Sequence, residues 1–229
     1  MKRPSVLLIL LLTAPLTATD PTGFPFQDES LRYSVNWPGG VSLGEGQMRA
    51  KRIAVGWQFE LLLDAAIPGF AISDSYRSLA SNDLCSSEFE KKSAHGERKA
   101  SEKVEFRQDK QTAKRTTASG GSSDIGLSAC AKDALAFLYY TRREMGQGRV
   151  PRPETVLGGA PYQMRLEYMG EQSVASGKQQ VVADRVVASL RGPASTQTFE
   201  LFFARDAART PLAIRVPFAL GTFSLDLVR

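Results

Sequence analysis

Apolar and polar residues alternate with a period of two along most of this chain. In residues 31–37, the apolar Leu31, Tyr33, Val35 and Trp37 are separated by three polar residues. The same alternation recurs in residues 57–63, 162–168 and 223–227. Because successive side chains of a β-strand point to opposite faces, each segment forms a strand with one apolar face. The pattern predicts a mainly β chain whose sheet packs one face on a core.

Glycine residues indicate that this sheet is strongly curved. Pro38-Gly39-Gly40 predicts a turn after the first strand. Gly44 and Gly46 lie inside the next strand-like segment, where glycine favours a bulge or a sharp bend. A chain of 229 residues is long enough for one large domain. We therefore predict a single β-rich domain over residues 19–229, a strongly curved antiparallel sheet or open barrel-like domain with one packed α-helix.

The predicted helix covers Lys132 to Met145. Asp133 suits its N-terminus because a carboxylate there accepts hydrogen bonds from unpaired backbone N–H groups. Arg142 and Arg143 fall late in the segment, where the helix dipole favours cations.

The first 18 residues have the pattern of a secretory signal peptide. Lys2 and Arg3 precede an apolar run from Val6 to Leu12, and small and polar residues follow as far as Ala18. The run is too short to cross a bilayer, which needs roughly 20 apolar residues. An uncleaved membrane anchor is the alternative. Cleavage near Ala18 predicts a periplasmic or secreted chain with no transmembrane segment.

Cys85 and Cys130 are the two cysteines of the chain. An exported protein meets an oxidising environment, and two cysteines with none left over suit one bridge. The sequence therefore predicts a structural disulfide. A redox-active dithiol is less favoured because the two residues are far apart in sequence and form no Cys-x-x-Cys motif.

Motifs for catalysis or metal binding are weak. One histidine and two cysteines are too few for most zinc, haem or iron–sulfur sites. His95 lies in a polar stretch and is expected to be a solvated loop residue. The Gly-x-Ser-x-Gly match at residues 40–44 precedes a strand-like segment, whereas a nucleophile elbow precedes a helix. We therefore predict no catalytic residue, no metal ligand and no cofactor, which favours a binding protein over an enzyme.

The charge is modest and locally mixed. The formal net charge of +5 falls to +3 when Lys2 and Arg3 leave with the signal peptide, which gives no indication of nucleic-acid binding. Residues 90–115 interleave acidic residues with many basic ones, a pattern typical of a solvated strand face. The alternative is a patch that contacts anionic head groups or another envelope polymer. The basic residues are Lys91, Lys92, Arg98, Lys99, Lys103, Arg107, Lys110, Lys114 and Arg115.

Aromatic residues on the early strands are candidates for a ligand site. Plain core packing would account for them, because aromatic side chains dominate protein cores. The functional alternative is a partly open apolar cavity inside a bent sheet, closed by the helix and with an arginine at its mouth. The candidate lining residues are Tyr33, Trp37, Trp57, Phe59, Tyr76 and Arg142.

Three segments resemble a known bacterial family. They are Leu31-x-Tyr33-x-Val35-x-Trp37-Pro38-Gly39, the stretch from Asp133 to Arg142, and Asp206-x-x-Arg209-Thr210-Pro211-Leu212. In this order they resemble the exported proteins of domain-of-unknown-function family 3108. The resemblance implies an envelope protein with a mainly β fold and no assigned activity, and it supplies no catalytic residues.

These observations together favour an exported, non-enzymatic protein that binds a lipid or other amphiphilic small molecule in a curved sheet. Two alternatives stay open. One is a scaffold or interaction module that contacts envelope proteins or peptidoglycan through the basic strands. The other is a hydrolase whose site has no recognisable motif.

Overall fold

The computed structural model describes residues 22–67, 69–177, 179–193, 196–218 and 221–228. The predicted signal peptide, residues 1–18, lies outside the described residues. The first half of the chain forms β1 (Glu29–Asn36), β2 (Ser42–Ile53), β3 (Gly56–Ile67), β4 (Phe70–Ala80), β5 (Ser86–His95), β6 (Arg98–Arg107), β7 (Thr112–Thr117) and β8 (Ser122–Gly126). A short 3-10 turn, Gln108–Lys110, lies between β6 and β7.

The second half contains the helix and seven further strands. These are β9 (Lys132–Asp133), α1 (Ala134–Gly146), β10 (Glu154–Leu157), β11 (Pro161–Ser176), β12 (Gln179–Arg191), β13 (Thr196–Ala204), β14 (Pro211–Phe218) and β15 (Gly221–Leu227). Within the described residues, no helix is long and apolar enough to span a bilayer.

All fifteen strands seen in the described ranges join one sheet. Its order is β8-β7-β6-β5-β4-β3-β2-β1-β15-β14-β13-β12-β11-β10-β9. Each half of the chain is therefore a meander, and the two halves meet where β1 pairs with β15. Neighbouring strands are antiparallel except β9 and β10, which are parallel. The antiparallel sheet confirms the predicted fold class.

The sheet curls until its β9 end meets the start of β5. The Ser86 backbone N–H donates to the carbonyl oxygen of Ala131, the residue before β9, over 3.0 Å. The Gln108 side chain joins the same two segments, donating to the carbonyl oxygens of Ser86 at 2.7 Å and Ala131 at 2.9 Å. The result is an open barrel-like structure from which β6, β7 and β8 extend beyond the seam.

The disulfide lies at this seam. Cys85 and Cys130 are bonded, with their Cα atoms 4.6 Å apart, and they precede β5 and β9 by one and two residues. This is the predicted pairing. Closing a loop with a sequence separation of 45 stabilises the fold by roughly 4 kcal/mol in the chain-entropy account. The bridge therefore holds together two segments that no continuous strand ladder connects.

Gly44 allows β2 and β3 to approach each other closely, and this approach bends the sheet. A Cβ atom at Gly44 would lie 2.0 Å from the Asp64 carbonyl oxygen on β3. The pairing of β1 with β2 also shifts register between Val35 and Asn36, opposite this glycine. The expected irregularity therefore lies where only a residue without a side chain fits.

The helix begins at Ala134, two residues later than predicted, because Lys132 and Asp133 pair with β10 as a strand. Asp133 caps α1 as expected. Its Oδ1 atom accepts hydrogen bonds from the backbone N–H groups of Leu135 at 2.8 Å and Ala136 at 2.9 Å. Its Oδ2 atom accepts from the Ser78 and Ser86 hydroxyls, each at 2.6 Å. The cap thereby fixes the start of α1 to β4 and β5.

Buried residues occur on nearly all sides of α1, so the curled sheet surrounds the helix. They are Leu135, Ala136, Phe137, Tyr139, Thr141, Arg142 and Met145. A helix buried in this way lies inside the fold, unlike an amphipathic helix on a surface. The helix therefore divides the space that the curled sheet encloses into two parts, one on each side of α1.

Candidate functional site

An apolar cavity of about 230 Å³ lies between one side of α1 and the concave face of the sheet. One wall comes from β3, β4 and β5, and the other from β11 to β14. The lining residues are Leu61, Tyr76, Phe89, Lys91, Ala134, Leu135, Phe137, Leu138, Thr141, Gly158, Met164, Leu166, Ala188, Leu190, Phe199, Leu201 and Ile214.

The period-two alternation of the late strands produces the apolar wall. Met164 and Leu166 on β11 stand opposite Leu190 and Ala188 on β12. Ala188 in turn pairs with Phe199 on β13. Because directly paired residues lie on the same face of a sheet, these side chains form a continuous apolar surface.

Several lining residues lie only half-buried, which marks the mouth of the cavity. These are Leu61, Tyr76, Leu138, Leu190, Phe199 and Ile214. Ala134, the first residue of α1, is exposed and also contributes to the lining. Apolar surface therefore remains in contact with solvent beside a helix that is otherwise buried.

Two of the three polar side chains in the lining have intramolecular hydrogen bonds. The Thr141 hydroxyl donates to the Phe137 carbonyl oxygen over 2.9 Å. The Tyr76 hydroxyl donates to Asp74 Oδ2 over 3.5 Å. Burial, followed by the nearby Asp74 carboxylate, raises the pKa of Tyr76 to about 12, so the phenol stays neutral at physiological pH.

Lys91 is the charged residue of the lining. Its Nζ atom lies 5.7 Å from the centroid of the Tyr76 ring. Among the described residues, no carboxylate oxygen lies within 4 Å of this nitrogen. The cavity therefore has one half-buried cation without an ion-pair partner.

Of the six candidate lining residues, the structure brings Tyr76 to this cavity. Tyr33, Trp57 and Phe59 are buried instead in the core on the other side of α1. Phe59 stacks on Tyr139 with ring centroids 4.0 Å apart. The Tyr33 hydroxyl donates to the Pro211 carbonyl oxygen over 3.0 Å. These aromatic residues fill the space that the sequence analysis expected them to line.

Trp37 lies away from α1, immediately after β1. Its ring meets the edge of Phe223 with centroids 4.8 Å apart. It lines a separate shallow cavity beside the turn between β1 and β2, together with Gly39 and Gly40. The alternation in residues 31–37 predicts one shared face and does not indicate that β1 ends before Trp37.

Arg142 lies in the core, in contrast to the expected position at a cavity mouth. It is 1% exposed, and its Nη1 and Nη2 atoms donate to the Glu29 carboxylate over 2.6 and 2.8 Å. Its Nε atom donates to the carbonyl oxygens of Ala208 at 3.1 Å and Arg209 at 3.2 Å. Burial acts to lower the Arg142 pKa, but the hydrogen bonds and charge of Glu29 raise it above its ordinary value. These contacts join Glu29, at the start of β1, and the β13–β14 loop to α1.

His95 and the Gly-x-Ser-x-Gly segment supply no catalytic arrangement. His95 is exposed as expected but is the last residue of β5 rather than a loop residue, and its Nε2 atom lies 2.8 Å from Asp74 Oδ1. Ser42 begins β2, and no helix follows it. Across the described ranges, no group of three or more His, Cys, Asp and Glu side chains is placed to hold a metal ion.

Sequence reasoning missed most of the cavity. Much of its lining comes from α1 and from β11 to β14, which follow the early aromatic strands in the sequence, whereas Leu61, Tyr76, Phe89 and Lys91 come from β3 to β5. The alternation at residues 162–168 was visible and indicated one apolar face. It did not reveal that this face would remain partly uncovered.

The comparisons with known proteins agree with the fold. A crystal structure of a beta-barrel-like protein of domain of unknown function DUF1849 from Brucella abortus is similar to this chain, with a TM-score of 0.63. The match covers 87% of this chain and 95% of that one at 6% sequence identity, so it concerns the fold alone. No curated protein matches the sequence. The sequence model of the family "Protein of unknown function (DUF3108)" matches residues 32–228, and the chain therefore belongs to this family.

Proposed function

We propose that this protein is an exported, non-enzymatic binding protein that holds an apolar or amphiphilic small molecule beside α1. The supporting observation is the partly open apolar cavity of about 230 Å³ between the helix and the two sheet walls. Ligand sites of this kind are concave, mostly apolar and provided with few polar groups.

The chemistry of the walls selects the ligand class. Transfer of apolar surface from water into such a cavity is favourable by roughly 25 cal/mol per Å². A polar group held against Leu138, Leu190 or Phe199 would lose its hydrogen bonds to water without replacement, because these side chains have no donor or acceptor. An acyl chain or similar hydrocarbon body therefore fits the walls, and a sugar or peptide does not.

Titration with the neutral apolar dye N-phenylnaphthylamine tests this proposal. We expect saturable binding with a fluorescence increase, displaced by medium-chain fatty alcohols. Ala134→Trp places a bulky side chain at the mouth of the cavity and should weaken dye binding by about tenfold or more. Ala54→Trp, an exposed position in the β2–β3 turn, is the matched control and should bind as the wild type does.

Absence of saturable dye binding would contradict the proposal, as would equal binding by both tryptophan variants and the wild type. Native mass spectrometry of the purified protein gives an independent measurement. A discrete mass increment that disappears on denaturation would identify a bound molecule to extract.

Export is the second part of the proposal. It rests on the signal-peptide pattern of residues 1–18 and on the Cys85–Cys130 disulfide, which suits an oxidising compartment. We expect the mature protein to appear in the periplasmic or secreted fraction with an N-terminus close to Thr19. Its intact mass should be two hydrogens below that of the reduced chain. A full-length, reduced chain would contradict this part.

The exposed face of the basic strands supports a second candidate function, contact with an anionic envelope partner. Lys92, Lys99 and Lys114 are exposed and make no ion pair with any described residue. Reversing these three charges should abolish partner capture by cross-linking in the envelope and leave dye binding unchanged. Unchanged capture would leave the cavity as the functional site.

A further inference from the structure

A polar cavity adjoins the apolar cavity and shares Lys91 with it. It measures about 290 Å³, and the charged residues of its lining are Lys91, Lys99, Glu102 and Arg115, with Thr117 beside them. These residues come from β5, which lies at the seam of the sheet, and from β6 and β7, which extend past it. The concave face therefore changes from apolar to polar at Lys91.

One row of paired residues shows this change. Leu61 on β3 pairs with Tyr76 on β4, and Tyr76 pairs with Lys91 on β5. Lys91 pairs with Glu102 on β6, which pairs with Thr117 on β7. Paired residues share a face, and neighbouring strands are about 4.8 Å apart, so Tyr76 and Thr117 mark two ends of a path of about 14 Å.

A second contact places the two cavities at one junction. Gly158, in the turn between β10 and β11, lines the apolar cavity. A Cβ atom at the neighbouring Gly159 would lie 2.4 Å from Glu102 Oε1, and Glu102 lines the polar cavity. The same turn therefore borders both cavities.

The charges at this junction are unequal. Arg115 donates from Nε and Nη2 to Glu102 Oε2 over 3.0 and 2.7 Å, so this cation and this anion neutralise each other. Lys91, between that pair and the apolar wall, has no such partner among the described residues. A half-buried ammonium group beside an apolar surface is poorly solvated, and an anion at this position would restore a charge-assisted hydrogen bond.

We infer that the ligand is a single-chain amphiphile with an anionic head group, its hydrocarbon chain in the apolar cavity and its head at Lys91. This inference rests on the proposed function and specifies the ligand class. The polar cavity gives the head group access to solvent, and Thr117 and Arg115 lie beyond it.

The volume of the apolar cavity favours one chain over two. Sites for drug-sized ligands occupy roughly 300–1,000 Å³, and about 230 Å³ lies below that range. A diacyl lipid would need a second apolar groove, and the adjoining cavity is polar. A medium-length fatty acid or alkyl phosphate therefore fits both cavities together.

Competition between four ligands of the same chain length tests the inference. Decanoic acid, decyl phosphate, decanol and decyltrimethylammonium each displace N-phenylnaphthylamine from the full mature protein, and the affinity of each is measured. We expect the two anions to bind about tenfold more tightly than decanol, and the cation to bind more weakly than decanol. The acid and the phosphate distinguish a carboxylate site from a phosphate site.

Variants of Lys91 assign the preference to this side chain. Lys91→Met keeps the aliphatic stem and removes the charge, so the advantage of the anions over decanol should disappear. Lys91→Arg should retain the preference. Lys92→Ala is the matched control, because Lys92 is the next residue of β5, lies on the opposite face and is exposed.

Two outcomes would overturn the inference and separate it from the proposed function. Equal affinity of the wild type for decanol and the two anions would contradict an anionic head-group site while leaving the apolar cavity intact. A preference for anions that survives Lys91→Met would place the head group elsewhere. If neither the dye nor decanol binds, the proposed function fails and this inference fails with it.

Discussion

The two sides of α1 differ in how completely their groups have partners. On one side, Phe59 stacks on Tyr139, and Arg142 makes a paired contact with the Glu29 carboxylate. On the other side, Leu138 borders an open cavity, and Lys91 makes no ion pair with any residue that the structure describes. One side of α1 therefore borders a filled core. The other side borders a cavity with uncovered apolar side chains and a cation without an ion-pair partner.

If the proposed function holds, this difference separates the residues that bind from the residues that stabilise the fold. The packed core contributes to the free energy of unfolding because its side chains are buried and Arg142 is hydrogen-bonded to Glu29, although the buried Tyr139 hydroxyl has no hydrogen-bond partner among the described residues. A cavity with an unpaired cation contributes little to it and has binding energy still available to a ligand. The side of α1 that contains Phe59 and Arg142, the packed side, should therefore respond to mutation through stability, and the cavity side through binding.

The largest expected difference in the free energy of unfolding is between Phe59→Ala and Leu138→Ala. Phe59 is fully buried, so its truncation should lower the free energy of unfolding by roughly 3–5 kcal/mol. Leu138 is half-buried beside an existing cavity, so its truncation should cost only about 1 kcal/mol. Denaturant unfolding followed by circular dichroism measures both.

Equal costs for the two truncations would show that the cavity side is packed as tightly as the core in solution. Dye binding provides the complementary measurement. It should change for Leu138→Ala, and folded Phe59→Ala protein should retain it.

The second test removes one partner of the buried ion pair. Arg142→Met leaves the Glu29 carboxylate, whose side chain is 5% exposed, without its cation. An unpaired buried charge should lower the free energy of unfolding by roughly 3–5 kcal/mol. The double variant Glu29→Gln/Arg142→Met removes both charges and should recover much of this loss. A double variant as unstable as Arg142→Met would show that the contacts of Arg142 with the β13–β14 loop matter more than the ion pair.

Sequence periodicity predicted the sheet well and the cavity poorly, for a physical reason. Alternation in residues 31–37 and 162–168 depends on neighbouring residues, and it determines which side chains share a face. The pairing of β1 with β15, which brings the two halves together, depends on contacts nearly 200 residues apart and leaves no local pattern. Tyr76 and Trp37 are both aromatic residues on apolar faces. The sequence therefore could not show which of them lines the cavity.

Arg142 illustrates the same limit for charge. A cation late in a helix is favourable in any helix, and the sequence placed it correctly. Its burial depends on Glu29, more than 100 residues earlier, which reaches α1 only because β1 lies beside the helix in the folded sheet. The disulfide, by contrast, was predictable because two cysteines allow a single intramolecular pairing.

The third test uses the pH dependence of the helix cap that both sides of α1 share. Burial raises the pKa of Asp133 above its ordinary value of 3.8, although four hydrogen bonds oppose this shift. The folded state therefore binds this proton more readily than the unfolded state, so its contribution favours folding at low pH and is lost as the pH rises through the raised pKa. Asn is also a good helix cap, so Asp133→Asn should remove the pH dependence and keep the fold.

The measurement is the difference in unfolding free energy between wild type and Asp133→Asn across the acidic range. This difference should fall as the pH rises, with a slope of at most about 1.4 kcal/mol per pH unit. A difference that rises with pH would show that the serine and backbone donors stabilise the carboxylate more than burial destabilises it.

The smallest stability effect is expected at Lys91, and it distinguishes this cation from Arg142. Both cations lie close to α1 and to aromatic rings, but Lys91→Met removes a charge that no carboxylate compensates in the described structure. The free energy of unfolding without ligand should therefore change by no more than about 0.5 kcal/mol, and a small increase is expected because a half-buried charge no longer borders an apolar wall. A loss comparable to that of Arg142→Met would mean that Lys91 has a structural partner in solution. In that case, the charged groups on both sides of α1 would have partners, and the cavity would have no unpaired cation for a ligand to bind.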